Sequence, residues 1–188
     1  MTITPAGTEI RYTVTWLEMT RRPTFPHPPL PVGKPAALLK ADEPPAWFFL
    51  GLYDAVGRHY AWEDMFERPE EELEAWLKDP NTALYTLMRS GWPHGFFLLD
   101  YREAGICDIV YFGLVPQAVG RGLGRFLLES AILTAWEFPG VEKLTVNTCS
   151  LDHPRALGTY QRCGFEPVRQ QEFTRVLKRP LDVSRIPS

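Results

Sequence analysis

The sequence has few cysteines, no excess of basic charge and no long apolar run, and each shortage excludes a class of protein. Only three cysteines occur and none form a CxxC pair, so neither a disulfide framework nor a metal site is predicted. The net charge is -3, which argues against a nucleic-acid surface. No segment has the pattern of a membrane span or a secretory signal, so we expect a cytoplasmic protein without a membrane partner.

The chain is instead rich in apolar residues, which make up 45% of its 188 positions, and 13% of the positions are aromatic. This content suffices for one sizeable core, and the length suits one domain better than two. We predict a single domain over residues 1–180, with a proline-dense extended connector at 22–45 and a tail at 181–188 that ends disordered. Overlapping PxxP patterns between Pro26 and Pro31 leave open a docking segment for an SH3-like partner.

The periodicity of apolar residues predicts an α/β domain whose mixed sheet is covered by helices on both faces. Helix ends are indicated by proline and glutamate at their starts and by glycine or proline after them. The predicted elements are a strand at 10–19, helices at 46–57 and 69–78, strands at 83–90, 94–102 and 107–116, a helix reaching about 136–138, a strand at 142–150, a short helix at 153–164 and a strand at 172–178.

The stretch "VPQAVGRGLGRFLLESAI" places Gly120, Gly122 and Gly124 at alternate positions between a strand and a helix. Such a turn leaves backbone N–H groups free at the positive end of the helix dipole, which favours a bound phosphate. A dinucleotide is a weaker alternative because the GxGxxG spacing is absent. Glycines that serve only a tight turn and close packing are the remaining alternative.

Two motifs in this part of the chain resemble those of the GNAT superfamily of acyl-CoA-dependent N-acyltransferases. "QAVGRGLG" is similar to the signature (R/Q)-x-x-G-x-(G/A), and "ALGTYQRCGF" is similar to the second motif, A-x-x-x-Y-x-x-x-G-F. The two motifs, in this order, cover about the last half of the chain. The resemblance implies the GNAT fold, an α/β fold with a mixed, mostly antiparallel sheet that is split between its fourth and fifth strands.

The resemblance also implies an N-acetyltransferase that moves an acetyl group from acetyl-CoA to a primary amine by direct attack in a ternary complex. Backbone amides of the glycine turn would bind the pyrophosphate of coenzyme A, and the strand before it would pair with the pantetheine arm. The implied cofactor-binding residues are Leu114, Val115, Gln117, Gly120, Arg121, Gly122, Leu123, Gly124 and Ala156.

Three residues are candidates for proton transfer. Tyr160 corresponds to the tyrosine with which the family can protonate the sulfur of coenzyme A. Asp108 opens a strand where some members carry a glutamate base, and strand alternation predicts that it shares an apolar face with Val110 and Phe112, which would raise its pKa. His153 stands where the second motif usually has asparagine, and its imidazole would contact the pantetheine arm, relay a proton, or only begin the helix.

The acceptor is expected near the loop that follows the first helix. Tyr60 and Trp62 would form an apolar wall there, and Glu63 and Asp64 would attract a cation; a solvated charged loop is the alternative. A rival mechanism would use Cys149 as a nucleophile beside Asp152 and His153. The leading hypothesis of another class is a non-catalytic module that binds coenzyme A or displays the proline segment, and a homodimer is left open.

Overall fold

The computed structural model describes residues 3–187, and within them the chain forms nine β-strands and four α-helices. The strands are β1 (Ile3–Thr4), β2 (Glu9–Met19), β3 (Ala36–Lys40), β4 (Thr82–Arg89), β5 (Trp92–Asp100), β6 (Ile106–Leu114), β7 (Lys143–Cys149), β8 (Glu166–Val176) and β9 (Leu181–Asp182). The helices are α1 (Ala46–Gly57), α2 (Glu70–Leu77), α3 (Leu123–Glu137) and α4 (Ala156–Arg162).

Seven of these strands form one sheet in the order β3-β4-β5-β6-β7-β2-β8. The β6–β7 pair is parallel and the other neighbouring strands are antiparallel, which confirms the predicted mixed, mostly antiparallel sheet. The N-terminal strand β2 does not lie at the edge of the sheet but is inserted between β7 and β8. Both ends of the chain therefore contribute to the same side of the sheet.

The sheet is split between β6 and β7. These two strands correspond to the fourth and fifth strands expected from the sequence, between which the split was predicted. The parallel ladder runs only from the pair Ile106 and Lys143 to the pair Ile109 and Val146. Beyond these pairs β6 continues to Leu114 and β7 to Cys149 without pairing with each other. One end of the split is thus closed by hydrogen bonds, and the other end is open.

Helices pack on both faces because their apolar positions recur at helical spacing. Phe49 of α1 is fully buried and packs edge-on against Phe96 of β5. Helix α3 buries most of its length, including Leu127 and Ile132, and its Trp136 donates from Nε1 to the sulfur of Met19 on β2 at 3.4 Å. These contacts make one hydrophobic core that extends across the split.

Three segments differ from the sequence-based expectation. Residues 36–40 of the proline-dense connector form β3, an edge strand, because this part of the connector contains no proline. Strand β8 begins at Glu166 and not at residue 172, since an edge strand tolerates Pro167. In the expected tail Leu181 is buried, and β9 pairs with β1, so the described part of this tail packs on the domain.

Candidate active site

A cavity of about 200 Å³ occupies the open end of the split between β6 and β7. Both halves of the sheet, the glycine turn and α4 contribute to its walls. On one side, α1, the loop after it and β6 supply Val56, Tyr60, Trp62, Ile109, Val110, Phe112, Gly113 and Leu114. The remaining walls are Val119, Gly120, Gly124, Asn147, Thr148, Asp152, His153, Arg155, Ala156, Thr159 and Tyr160. Residues from both sequence motifs thus meet at one cavity.

The glycine turn places unused backbone donors beside this cavity. Gly120 and Gly122 have φ angles of 76° and 73°, in the left-handed region that side chains disfavour. Gly122 is the N-cap of α3, and no side chain caps the helix. Within residues 3–187, no backbone acceptor binds the N–H groups from Gly120 to Gly124. Free N–H groups at a helix N-terminus form an anion site.

Only some of the other predicted cofactor residues line the cavity. Leu114, Gly124 and Ala156 line the cavity, Arg121 is exposed and Leu123 is buried as the first residue of α3. Val115 and Gln117 do not line the cavity but a separate groove beside α1. The N–H of Val115 donates to the carbonyl of His94 at 3.0 Å, so it is not available to a pantetheine arm.

Tyr160 lies on α4 with its ring buried between aromatic neighbours and its position at the cavity wall. The ring centroids of Phe112 and Phe165 are 5.9 Å and 6.0 Å from its own. Burial, and after it the charges of Asp152 and Asp108, raise the pKa of Tyr160 well above its ordinary value. In the described part of the chain no group hydrogen-bonds to its hydroxyl, so Tyr160 is a protonated donor with a free O–H at the cavity.

His153 lines the cavity, but both of its ring nitrogens have partners. Nδ1 accepts from the backbone N–H of Arg155 at 3.1 Å, and Nε2 lies 2.9 Å from the carbonyl oxygen of Pro187. This pair of partners assigns the proton to Nε2, because a carbonyl can only accept. The imidazole therefore fixes the start of the α4 segment against the C-terminal residues.

Asp108 lies outside the cavity because a β-bulge interrupts the alternation of β6. Leu98 pairs with Tyr111 and Leu99 with Ile109, so Val110 is an extra residue. The bulge reverses the faces beyond it, so the prediction that Asp108 and Phe112 share a face is wrong. Asp108 lines a different surface pocket and accepts from Thr145 Oγ1 at 2.6 Å. Burial raises its pKa, as predicted.

Tyr60 and Trp62, which were predicted to form an apolar wall for the acceptor, line the cavity. Their position depends on two glycines at which a side chain would collide. A Cβ at Gly57 would lie 2.4 Å from the Cβ of Trp62, and a Cβ at Gly113 would lie 2.4 Å from a methyl group of Val56. The absence of these side chains lets the indole pack on the end of α1 and lets α1 approach β6.

Glu63 and Asp64 bind basic residues of the C-terminal segment and do not line the cavity. The carboxylate of Glu63 is buried and accepts from the backbone N–H groups of Lys178 and Arg179 at 3.1 Å and 2.9 Å. Asp64 forms an ion pair with Arg175 at 2.8 Å. Both carboxylates are therefore bound to the C-terminal segment and do not face the cavity.

Asp152 is the carboxylate that lines the cavity, and sequence reasoning assigned it no role in binding an acceptor. Its Oδ1 accepts from Trp62 Nε1 at 3.1 Å, and its Oδ2 accepts from Thr148 Oγ1 and from the Cys149 N–H at 2.8 Å each. The sequence feature that could have identified Asp152 is an acidic residue between the end of β7 and the second motif. Burial raises the pKa of the neighbouring Cys149 thiol to about 12, which disfavours a thiolate nucleophile.

Two other features are absent from the described residues. None of the helices in residues 3–187 has the length and apolarity that crossing a bilayer requires. The same residues contain no group of three or more histidine, cysteine or acidic side chains that could hold a metal ion.

Comparisons with known proteins connect this geometry to a family. A model described as the acetyltransferase (GNAT) family matches residues 49–165, which is more than half of the chain. This range includes the glycine turn, the split and all of the residues that line the cavity. A search of curated proteins finds no match.

Solved structures with the same fold have low sequence identity. A GCN5-related N-acetyltransferase from Sphaerobacter thermophilus is 21% identical, with 97% of this chain and 55% of that chain covered and a TM-score of 0.58. One from Kribbella flavida is 17% identical, with 86% and 56% covered and a TM-score of 0.58. An aminoglycoside acetyltransferase from an uncultured soil metagenomic sample is 16% identical, with 69% and 87% covered and a TM-score of 0.56. This chain spans little more than half the length of the first two, and at these identities the likeness shows the fold alone.

Proposed function

Because this chain belongs to the acetyltransferase (GNAT) family, we propose that it transfers an acetyl group from acetyl-CoA to a primary amine by direct attack in a ternary complex. The observation that carries this proposal is the cavity in the split, which joins the free N–H groups of the glycine turn to the hydroxyl of Tyr160. A donor bound at the turn and an acceptor entering beside Tyr60 and Trp62 would meet in this cavity.

The donor would be bound mainly by backbone groups. The N–H groups from Gly120 to Gly124 would bind the pyrophosphate at the positive end of α3. The edge of β6 beyond Ile109 has no strand partner on the side of β7, so its amide and carbonyl groups can pair with the pantetheine arm up to Leu114. Ala156 at the start of α4 leaves room for that arm.

The chemistry would need one proton donor at the sulfur. The neutral amine attacks the thioester carbonyl carbon, a C–N bond forms, and the C–S bond breaks. Tyr160 gives its hydroxyl proton to the departing sulfur and regains a proton from the amine nitrogen through water, so the products are an amide and free coenzyme A. The raised pKa of Tyr160 supports this role because it keeps the phenol protonated in neutral solution.

A pair of glycine substitutions tests the proposal. Gly122→Asp should abolish acetyl-CoA binding, because a negative charge would stand where the pyrophosphate is expected. Gly140→Asp is the matched control, since Gly140 also has a positive φ, 84°, and open space around it, but lies beyond the other end of α3. Both substitutions carry similar backbone strain, so only Gly122→Asp should lose binding in a calorimetric titration with acetyl-CoA.

The outcomes separate the hypotheses. Equal binding by the two folded variants would show that the glycine turn is not the phosphate site. Retained binding by the parent protein without thiol release, across a panel of amines, would favour a non-catalytic module that binds coenzyme A.

A further inference from the structure

The carboxylate of Asp152 is held where the two halves of the sheet face each other across the cavity. Trp62 follows α1 on one side of the split, and Thr148 is the penultimate residue of β7 on the other side. Both donate to Asp152, and the backbone N–H of Cys149 donates as well. Its position is therefore fixed from both sides of the split.

The hydrogen bonds of Asp152 leave part of its acceptor capacity free. A carboxylate offers about four acceptor sites on its two oxygens. Oδ2 has two donors, whereas Oδ1 has only the indole N–H of Trp62 among the described residues. One site on Oδ1 is consequently open at the wall of the cavity.

Asp152 also differs from the acids of α1 and of the loop that follows it in having no cation. Glu63 lies near Arg175 and Arg179, Asp64 pairs with Arg175, and Asp54 pairs with Arg58 and Arg179. In residues 3–187 no basic side chain lies within ion-pair distance of Asp152. Its charge reaches across the cavity, since burial and then Asp152 raise the pKa values of Tyr60 and Tyr160.

The surroundings of Asp152 suit an organic cation. Tyr60 and Trp62 present aromatic rings to the same cavity, and aromatic faces attract ammonium groups. A carboxylate beside two rings recognises an ammonium by charge and by ring contact together. A carboxylate-bearing acceptor would meet like charge at this position, which costs binding energy.

We propose that Asp152 binds a cationic group of the acceptor, and that the preferred acceptors are diamines and other amines with a second positive charge. This inference rests on the proposed function. Three donors already bind the side chain of Asp152, and its open acceptor site at the cavity wall is where an ammonium can bind. The attacking nitrogen must be neutral, so the ammonium at Asp152 and the attacking nitrogen are two groups of one molecule.

The experiment compares 1,4-diaminobutane with 4-amino-1-butanol, which has the same chain length but only one amine. The parent protein should acetylate the diamine with the higher kcat/KM. Asp152→Asn should raise KM for the diamine by about tenfold or more, because a charge-assisted hydrogen bond is lost. KM for the amino alcohol should change by less than about twofold, and kcat should change little.

Two controls separate recognition from folding. Asp182→Asn makes the same substitution in another turn, where the carboxylate accepts from the Ser184 N–H and hydroxyl, and should leave both KM values unchanged. Thr148→Val removes one donor to Asp152 but keeps the charge, so the preference for the diamine should survive even if stability falls.

Calorimetric binding of 1,4-diaminobutane in the presence of coenzyme A gives a readout that does not depend on turnover. Binding that requires Asp152 supports the inference even if no acetyl transfer occurs, in which case only the proposed function fails. Equal effects of Asp152→Asn on both amines, or a parent protein without preference for the diamine, would overturn the inference and leave Asp152 as a turn residue.

Discussion

The half of the sheet formed by β3, β4, β5 and β6 differs from the half formed by β7, β2 and β8 in how its strands follow one another. In the first half, spatial neighbours are also neighbours in chain order, so antiparallel pairing is largely local. In the second half β2 pairs with β7 and β8, which lie more than 100 residues further along the chain. The second half can therefore form only once β2 has come into contact with β7 and β8, which requires closure of a long loop.

The two halves also differ in burial. Six of the nine residues of β5 are buried, whereas β8 has no buried residue. Strands β2 and β7 supply the buried side chains of the second half, including Leu17 and Leu144, which are fully buried. The comparison teaches that one inserted strand connects the outer edge of the sheet to the common core.

The two ends of the split are held by different forces. A parallel ladder closes one end, and polar side chains bridge the other end without closing it. The indole N–H of Trp62 donates to Asp152, and the carboxylate of Glu63 accepts from the backbone N–H groups of Lys178 and Arg179. Directional polar contacts at the open end fix the width of the cavity without filling it with side chains.

The largest expected effect concerns the inserted strand. Leu17→Ala should lower the free energy of unfolding by about 2–5 kcal/mol, because it leaves a cavity in the core of the second half. Leu39→Ala is the control in β3, where the side chain is 52% exposed, and should cost less than about 0.5 kcal/mol. Urea titration measures both, and similar losses would contradict the proposed importance of β2.

The next effect concerns Tyr160, the proposed proton donor at the cavity. Tyr160→Phe should lower kcat by about a hundredfold while acetyl-CoA affinity stays the same, because only the proton donor is lost. Tyr101→Phe is the control, since Tyr101 is also buried but stacks on Phe138, away from the cavity. Unchanged turnover after Tyr160→Phe, measured by thiol release, would remove Tyr160 from the mechanism.

The smallest effect is expected at the closed end of the split. Asp108→Asn should change kcat/KM by less than about twofold, because Asp108 lies outside the cavity. The folded-state pKa of Asp108 is raised by burial, so its contribution to stability is present below its unfolded pKa of about 3.9 and is lost as pH rises through the folded pKa.

The stability difference between Asp108→Asn and the parent should accordingly shift in favour of the variant as pH rises from about 4 to 7. Urea titrations at several pH values measure this trend. A loss of the acidic limb of the pH–rate profile in the variant would instead restore Asp108 as the base.

The sequence predicted those parts of the site whose cause is local. The glycine turn was predicted from the spacing of its glycines between a strand and a helix, and the role of Tyr160 was implied by the resemblance of its motif to that of the family. Tyr60 and Trp62 were predicted from aromatic content alone, and the structure brings both to the cavity. Each of these predictions needed no knowledge of a distant partner.

Errors arose where a residue's role depends on a distant segment. Asp108 was misplaced because the bulge at Val110 reverses the faces of β6, and strict alternation cannot show a bulge. Glu63 and Asp64 were expected at the acceptor because of their charge. Their partners in the C-terminal segment are more than 100 residues away and could not be identified from the sequence. Sequence spacing contains no information on such pairs.

Helix and strand positions, the glycine turn and the general acid candidate thus follow from backbone propensity, apolar periodicity and short motifs, all of which act within about one turn or one strand. The insertion of β2, the neutralisation of Glu63 and the exposure to the cavity of Asp152, which has no ion pair within residues 3–187, depend on which segments meet. That choice is made by burial of the shared core and by hydrogen bonds between residues such as Trp62 and Asp152, 90 positions apart, and it exists only once the chain has folded.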